Sequence, residues 1–130
     1  MFRMSRVLIA GLLVASSACG HHAREAAQSG APQPTDRPVR VHVVNHYNEG
    51  MEIVAAGVGI TQRLGLVAAG LERDFVLPQS LVGNGSVEFR AQPSGFGQLV
   101  RSEPLVIRPG HIVDFEIATN LIGSRATLRP

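Results

Sequence analysis

The sequence contains one cysteine and neither lysine nor tryptophan. A single cysteine excludes an internal disulfide, a Cys-x-x-Cys redox pair and a cysteine-rich zinc site. It also excludes blue copper in the main domain, because that centre needs a thiolate and the cysteine lies near the N-terminus, at Cys19. Aromatic residues make up only 5% of the chain, so a core has to be built mainly from Val, Leu, Ile and five Phe.

The positive net charge of +2 belongs to the first residues of the chain. Two of the 12 basic residues, Arg3 and Arg6, precede Cys19, and no acidic residue does. Ten arginines and ten acidic residues remain from Cys19 onward, which is an even balance. A neutral domain lacks the basic stripe that nucleic acid requires, so we expect no nucleic-acid partner.

The first 19 residues divide into three zones. Residues 1–6 carry the two arginines, and residues 7–15 form an apolar run. That run has the length of a signal-peptide core and is too short to span a bilayer. The small residues Ser16, Ser17 and Ala18 then lead to Cys19, as a signal-peptidase cleft requires of an extended substrate.

This segment resembles the lipobox of bacterial lipoproteins, with Ala15 to Ala18 preceding Cys19. The family prefers Leu where this chain has Ser16. The resemblance implies that residues 1–18 are a signal peptide and that Cys19 carries acyl chains such as palmitate, which anchor the protein to a membrane of the cell envelope. In a Gram-negative cell, Gly20 in place of Asp implies the outer membrane, facing the periplasm or the surface. The alternative is an ordinary secretory signal that leaves a free thiol.

Residues 19–38 are expected to form the lipidated cysteine and a disordered tether. The stretch is polar and rich in small residues and proline, and it has no apolar periodicity. Proline favours extended conformations. Eighteen extended residues reach on the order of 50 Å at about 3 Å per residue.

Residues 39–130 are predicted to form an all-β domain. Apolar and polar residues alternate in short segments separated by Gly- and Pro-containing turns, and no long helical period competes. We therefore expect a small antiparallel β-sandwich of about seven or eight strands, immunoglobulin-like or transthyretin-like. The predicted segments are 39–44, 51–58, 60–67, 71–77, 86–92, 98–108, 111–118 and 125–129. Asn84-Gly85 is interpreted as a hairpin turn.

No motif of a known enzyme class is present, so we predict a protein without catalytic residues, cofactor or metal. His42 and His46 have a metal-ligand spacing only on a helix; on a strand they lie about 13 Å apart. Asp114 and Glu116 share a strand face, where exposed charge is the simpler interpretation. Ser94 lies in a loop rather than in a nucleophile elbow.

The sequence thus favours a membrane-anchored envelope lipoprotein with a non-catalytic binding or scaffold module, held by lipid on Cys19. Loops at 45–50, 78–85 and 93–97 supply candidate contacts to an envelope protein partner, namely Tyr47, Asn48, Asn84 and Phe96. Phe96 could equally fold back as a cap on the core. The alternative function is binding of a small ligand or metal, if the fold brings His42, His46 and His111 together. An enzyme of unknown reaction ranks last.

Overall fold

Alternation of apolar and polar residues builds every strand of the domain. The structure is a computed structural model and describes residues 37–130, which belong to one compact unit. The predicted signal peptide, Cys19 and the predicted tether up to residue 36 lie outside the described residues. Nine strands are present in this range: β1 Arg40–Asn45, β2 Met51–Ala56, β3 Thr61–Val67, β4 Glu72–Val76, β5 Ser86–Pro93, β6 Val100–Arg101, β7 Leu105–Val106, β8 Ile112–Ile117 and β9 Arg125–Arg129.

The strands form two sheets, which confirms the predicted β-sandwich. The first sheet has the order β4-β1-β8-β9. The second has the order β3-β2-β5-β6, and β7 also pairs with β5. β6 pairs with the end of β5 and β7 with its beginning, so these two short strands follow one another along the same edge.

The core lies between the sheets and is made of the inward-facing residues of each strand. It is aliphatic apart from Phe75, Phe89, Phe115 and Met51. The rings of Phe89 and Phe115 meet across it with centroids 6.1 Å apart. Burial alternates along β1, β2 and β8 with a period of two, as expected of sheets that have one solvated face.

Two details of strand pairing differ from the expectation. β1 and β8 are parallel. This is possible because strands β2 to β7 lie between them in the sequence, so no hairpin joins them. The predicted strand 98–108 is two strands, which explains a count of nine. Ser102 turns inward between them and its hydroxyl accepts a hydrogen bond from the Phe89 amide at 2.9 Å. Pro104 has no amide hydrogen with which to continue the ladder.

The predicted hairpin at Asn84-Gly85 is wrong. The strands on either side, β4 and β5, lie in different sheets. Residues 77–85 form a connection that crosses between the sheets and contains a 3-10 turn, Gln79–Leu81. Leu81 from that turn is buried in the core. Gly85 does adopt a turn conformation, with a φ of 93°, but this turn belongs to the connection between the two sheets.

The strands define two ends of the sandwich. β1 starts beside the chain entering at Arg37, whose carbonyl accepts a hydrogen bond from Gly110, and we call this the N-terminal end. β1 and β8 both finish at the opposite end, which we call the loop end and define by loops 46–50, 68–71, 94–99 and 118–124. In the described part of the chain, no helix is long and apolar enough to cross a membrane.

Candidate functional site

A buried asparagine fixes the base of the loop end. Asn45 is 0% exposed, and its side-chain amide donates to the carbonyls of Glu49, Val67 and Ala68 at 2.8, 3.2 and 3.2 Å. Its Oδ1 accepts a hydrogen bond from the Tyr47 amide at 3.0 Å. Because one side chain satisfies backbone groups from two loops, it holds loops 46–50 and 68–71 together.

Loop 94–99 presents a phenylalanine to solvent. The amide and the hydroxyl of Ser94 both donate to the Gly50 carbonyl, at 2.9 and 3.0 Å, which ties this loop to loop 46–50. A Cβ on Gly97 would lie 2.7 Å from the Pro93 ring, so this close turn accepts only glycine. Phe96 stands at the tip and is 99% exposed. The alternative prediction, that Phe96 caps the core, is therefore wrong.

Loop 118–124 presents an isoleucine to solvent at the same end of the sandwich. Ile122 is 88% exposed, whereas its neighbour Leu121 packs against the core. Leu121 has a φ of 63°, a backbone conformation that costs a bulky residue on the order of 1–3 kcal/mol. Hydrogen bonds hold it there: the Leu121 amide donates to the Ala118 carbonyl at 3.0 Å, and the Ala118 amide donates to the Ser124 hydroxyl at 2.9 Å. The loop is thus preorganised with Ile122 outward.

A shallow concavity of about 210 Å³ lies between these two loops. Loop 94–99 contributes Gln98 and Leu99 to its wall, and loop 118–124 contributes Leu121 and Ile122. Neither loop contains a charged residue. The loop end therefore combines protruding apolar side chains with an adjacent hollow whose wall also includes the polar Gln98 and Ser124 and the charged Arg101.

The outer surface of the first sheet is a second candidate, and its chemistry is ionic. We call it the charged face. Strand pairing places its side chains in cross-strand rows: Glu72, Val44, Glu116, Arg125; Asp74, His42, Asp114, Thr127; and Val76, Arg40, Ile112, Arg129. A concavity of about 450 Å³ lies here, open to solvent and lined partly by His42, Asp74, Arg40 and Arg129.

Ion pairs occupy most of the charged face. The His42 ring lies between two carboxylates, with Nδ1 2.7 Å from Asp74 and Nε2 3.6 Å from Glu72. Arg129 binds the Asp114 carboxylate with two nitrogens, and its second contact is 2.8 Å long. This hydrogen bonding lowers the pKa of the Asp114 carboxyl and outweighs the effect of burial, which acts in the opposite direction. Arg40 makes no ion pair with any of residues 37–130.

The histidines named by the sequence are kept apart. His46 contacts Glu116 at 3.5 Å, away from the acids that flank His42. His111 lies at the N-terminal end, where its Nδ1 faces the Arg108 amide at 3.2 Å. Within residues 37–130, no three His, Cys, Asp or Glu side chains are grouped to hold a metal ion. Asp114 and Glu116 do lie on one exposed strand face, as predicted, with separate partners.

The four predicted contact residues do not form one surface. Phe96 and the exposed Asn48 lie at the loop end, and Tyr47 is there too but packs half-buried against the core. Asn84 is exposed at the opposite end, where its amide donates to the Ser80 carbonyl at 2.9 Å.

Sequence reasoning missed loop 118–124. Its available signal was the apolar pair Leu121-Ile122 between Asn120 and Gly123, which are both turn-forming residues. Two adjacent apolar residues inside a turn do not belong to an alternating pattern that would direct both of them to the core. At least one of them is therefore a candidate for exposure.

Comparisons with known proteins add little. No family model matches the chain, and no curated protein matches it. Among solved structures, it is similar to a protein from Eubacterium rectale determined by NMR, with a TM-score of 0.45 and 15% sequence identity. The similarity covers 75% of this chain and 94% of that protein.

Proposed function

We propose that this protein is a lipid-anchored, non-catalytic binding module of the bacterial cell envelope, and that its loop end binds a protein partner. The observation that carries the second part is Phe96, which is almost wholly exposed at the tip of an uncharged loop. Aromatic side chains are enriched among residues that dominate protein interfaces. Phe96 projects beside a hollow and adds little to the packing of this fold, so binding a partner is the role that we propose for it.

The anchoring part is supported by the N-terminal sequence and by the position of the only cysteine. Two or more acyl chains on Cys19 would anchor stably, whereas one gives only marginal binding. Nineteen residues, 20–38, separate the cysteine from the β-sandwich domain predicted at 39–130, so lipid there would leave the domain in water.

The Cys19→Ala variant tests the anchor. Cells fed radiolabelled palmitate are expected to label the wild-type chain, and the variant is expected to lose the label and the membrane association together. Ser17→Ala, which keeps a small residue before the cysteine, is the matched control and should retain both. Persistent label on Cys19→Ala would show that the acyl chain is elsewhere or that the lipobox interpretation is mistaken.

The Phe96→Ala variant tests the binding surface. Chemical cross-linking in native cells should yield adducts of the wild-type protein that the variant loses. The control is Val58→Ala, which removes an exposed apolar side chain from the N-terminal end. Adducts that survive Phe96→Ala unchanged would move the binding surface away from the loop end.

A second candidate function is binding of a small anion on the charged face. The observation that favours it is Arg40, which lines the larger concavity and makes no ion pair among the described residues. Ordinary anions such as phosphate and acetate would be expected to raise the melting temperature of the wild type but not of Arg40→Ala. Equal shifts in both would discard this candidate.

A further inference from the structure

We infer that the partner of the loop end is a second copy of this chain. The inference rests on the proposed function, since it names the occupant of the same surface. Loops 94–99 and 118–124 supply two features that can contact each other in a pair of copies. One is the projecting side chain of Phe96, and the other is the hollow between the loops, which can receive a phenyl ring. In a symmetric pair, Phe96 of each copy would enter the concavity lined by Leu99, Leu121 and Ile122 of the other.

The sizes of the two features agree. The concavity measures about 210 Å³. An apolar cavity of about 150 Å³ is large enough to hold a benzene molecule. A phenyl ring therefore has room in this open hollow, where Leu99, Leu121 and Ile122 offer it apolar contact beside polar and charged residues of the wall. Burying a phenylalanine side chain in this way removes the largest exposed ring of the domain from water.

The placement of both features at one end favours a closed pair. When a projecting side chain and its receptor lie on different faces, association propagates into open chains of molecules. Here they lie on neighbouring loops of the same end. A two-fold axis through the loop end can then satisfy both contacts at once, and assembly stops at two copies.

The charge pattern favours a copy of itself over an unrelated partner. Around a two-fold axis each side chain lies near its own equivalent, so any charge there meets an equal charge of the same sign. Loops 94–99 and 118–124 contain no charged residue, although charged residues make up 17% of the chain. The one charged residue that lines the concavity is Arg101, whose guanidinium lies 3.7 Å from the Glu88 carboxylate.

Lipid anchoring would make a modest interface sufficient. Copies confined to a membrane by Cys19 encounter one another at a raised effective concentration, so a weak contact in solution becomes populated on the surface. An interface built from two loops per copy is suited to this regime.

The test is photo-cross-linking in living cells. A photoreactive amino acid is placed at position 98, in place of Gln98 on the concavity wall, in the full-length chain. Two differently tagged versions of the chain are produced together, so an adduct of one copy with another carries both tags. The matched control places the same amino acid at Gln79, which is exposed at the N-terminal end. Captured material is identified by mass spectrometry.

We expect an adduct with both tags from position 98 and none from position 79. Phe96→Ala should reduce that adduct about tenfold or more, as truncation of a central aromatic residue does at other interfaces, whereas Val58→Ala should leave it unchanged. An adduct with a different protein would overturn the self-association and leave the proposed function standing. An adduct with phospholipid, or no adduct at all, would overturn both. If the melting temperature of Phe96→Ala equals that of the wild type, misfolding is not the cause of a lost adduct.

Discussion

Asn45 shows how a single polar side chain can decide the geometry of a whole surface. It occupies an inward-facing position of β1, two residues after Val43, where alternation alone would call for an apolar residue. Its amide instead satisfies three carbonyls, one from loop 46–50, one from the last residue of β3 and one from loop 68–71. The hydrogen bonds of this buried side chain therefore hold the loop end in place, so the exposed side chains of the loops are not needed for that purpose.

Asn45→Ala is expected to lower the free energy of unfolding by about 2–3 kcal/mol, because buried backbone groups lose their partners. Urea denaturation measures this. The matched control is Asn48→Ala, three residues away and exposed, which should change stability by less than about 0.5 kcal/mol. Equal effects of the two substitutions would mean that the hydrogen bonds of Asn45 are not what holds the loops.

At the scale of strands, sequence patterning predicted most of the fold because burial has a period of two in this domain. Residues 86–92 and 111–118 were recognised in this way, and β5 and β8 follow. The crossover at Asn84-Gly85 could not be recognised, since a turn dipeptide looks the same whether the next strand joins its own sheet or the facing one. Pairing between strands that are distant in the sequence, such as β1 and β8, produces no local sequence pattern either.

The candidate site was predicted only in part, for a related reason. Phe96 is predicted as a contact because it is an aromatic residue in a loop, but the sequence also allows it to fold inward. Its outward position depends on contacts of Ser94 with Gly50, 44 residues earlier. The orientation of Ile122 depends likewise on a strained backbone at Leu121 that no propensity favours.

The bulge in β3 gives a prediction at this scale. The pairing of β2 with β3 shifts between Ile53 and Val54, close to Gly65. A Cβ on Gly65 would lie 2.8 Å from the Phe75 ring, which is buried in the facing sheet. Gly65→Ala should therefore destabilise the protein by about 1–3 kcal/mol in urea denaturation. Gly123→Ala, whose Cβ would meet nothing closer than 3.6 Å, is the control and should be close to neutral.

β9 is attached to the first sheet partly by the Arg129–Asp114 contact, which makes its contribution depend on pH. The pKa of the Asp114 carboxyl is lowered in the folded state. The contact therefore stabilises the protein above the ordinary aspartate pKa of about 3.9, and its contribution is lost as the pH falls through the lower folded-state pKa.

Asp114→Asn should consequently lower stability at pH 7 by less than about 1 kcal/mol, since the pair is partly exposed. The difference from wild type should shrink in strong acid. Urea midpoints at the two pH values provide the measurement. Glu103→Gln, at an exposed carboxylate with no ion pair among residues 37–130, should show no difference at either pH. A deficit in Asp114→Asn that persists in acid would point to packing rather than charge.

At the scale of the molecule, the nine strands share one core, so residues 37–130 are expected to unfold in a single step. The chain contains one tyrosine and no tryptophan, which makes Tyr47 a reporter for the loop end alone. Its fluorescence and the far-ultraviolet circular dichroism of the strands should have the same denaturation midpoint. An earlier fluorescence transition would show that the loop end opens independently of the sandwich.

The direction of β1 has a mechanical consequence. Its six residues carry the chain about 20 Å away from Arg37 before the loop end is reached, so in the proposed lipid-anchored protein the domain would hold the loop end away from the anchor. In the proposed pair, the Arg37 ends of the two copies would lie at opposite extremes, about 40 Å apart, so the loop-end contact would keep the two chain entries far from one another.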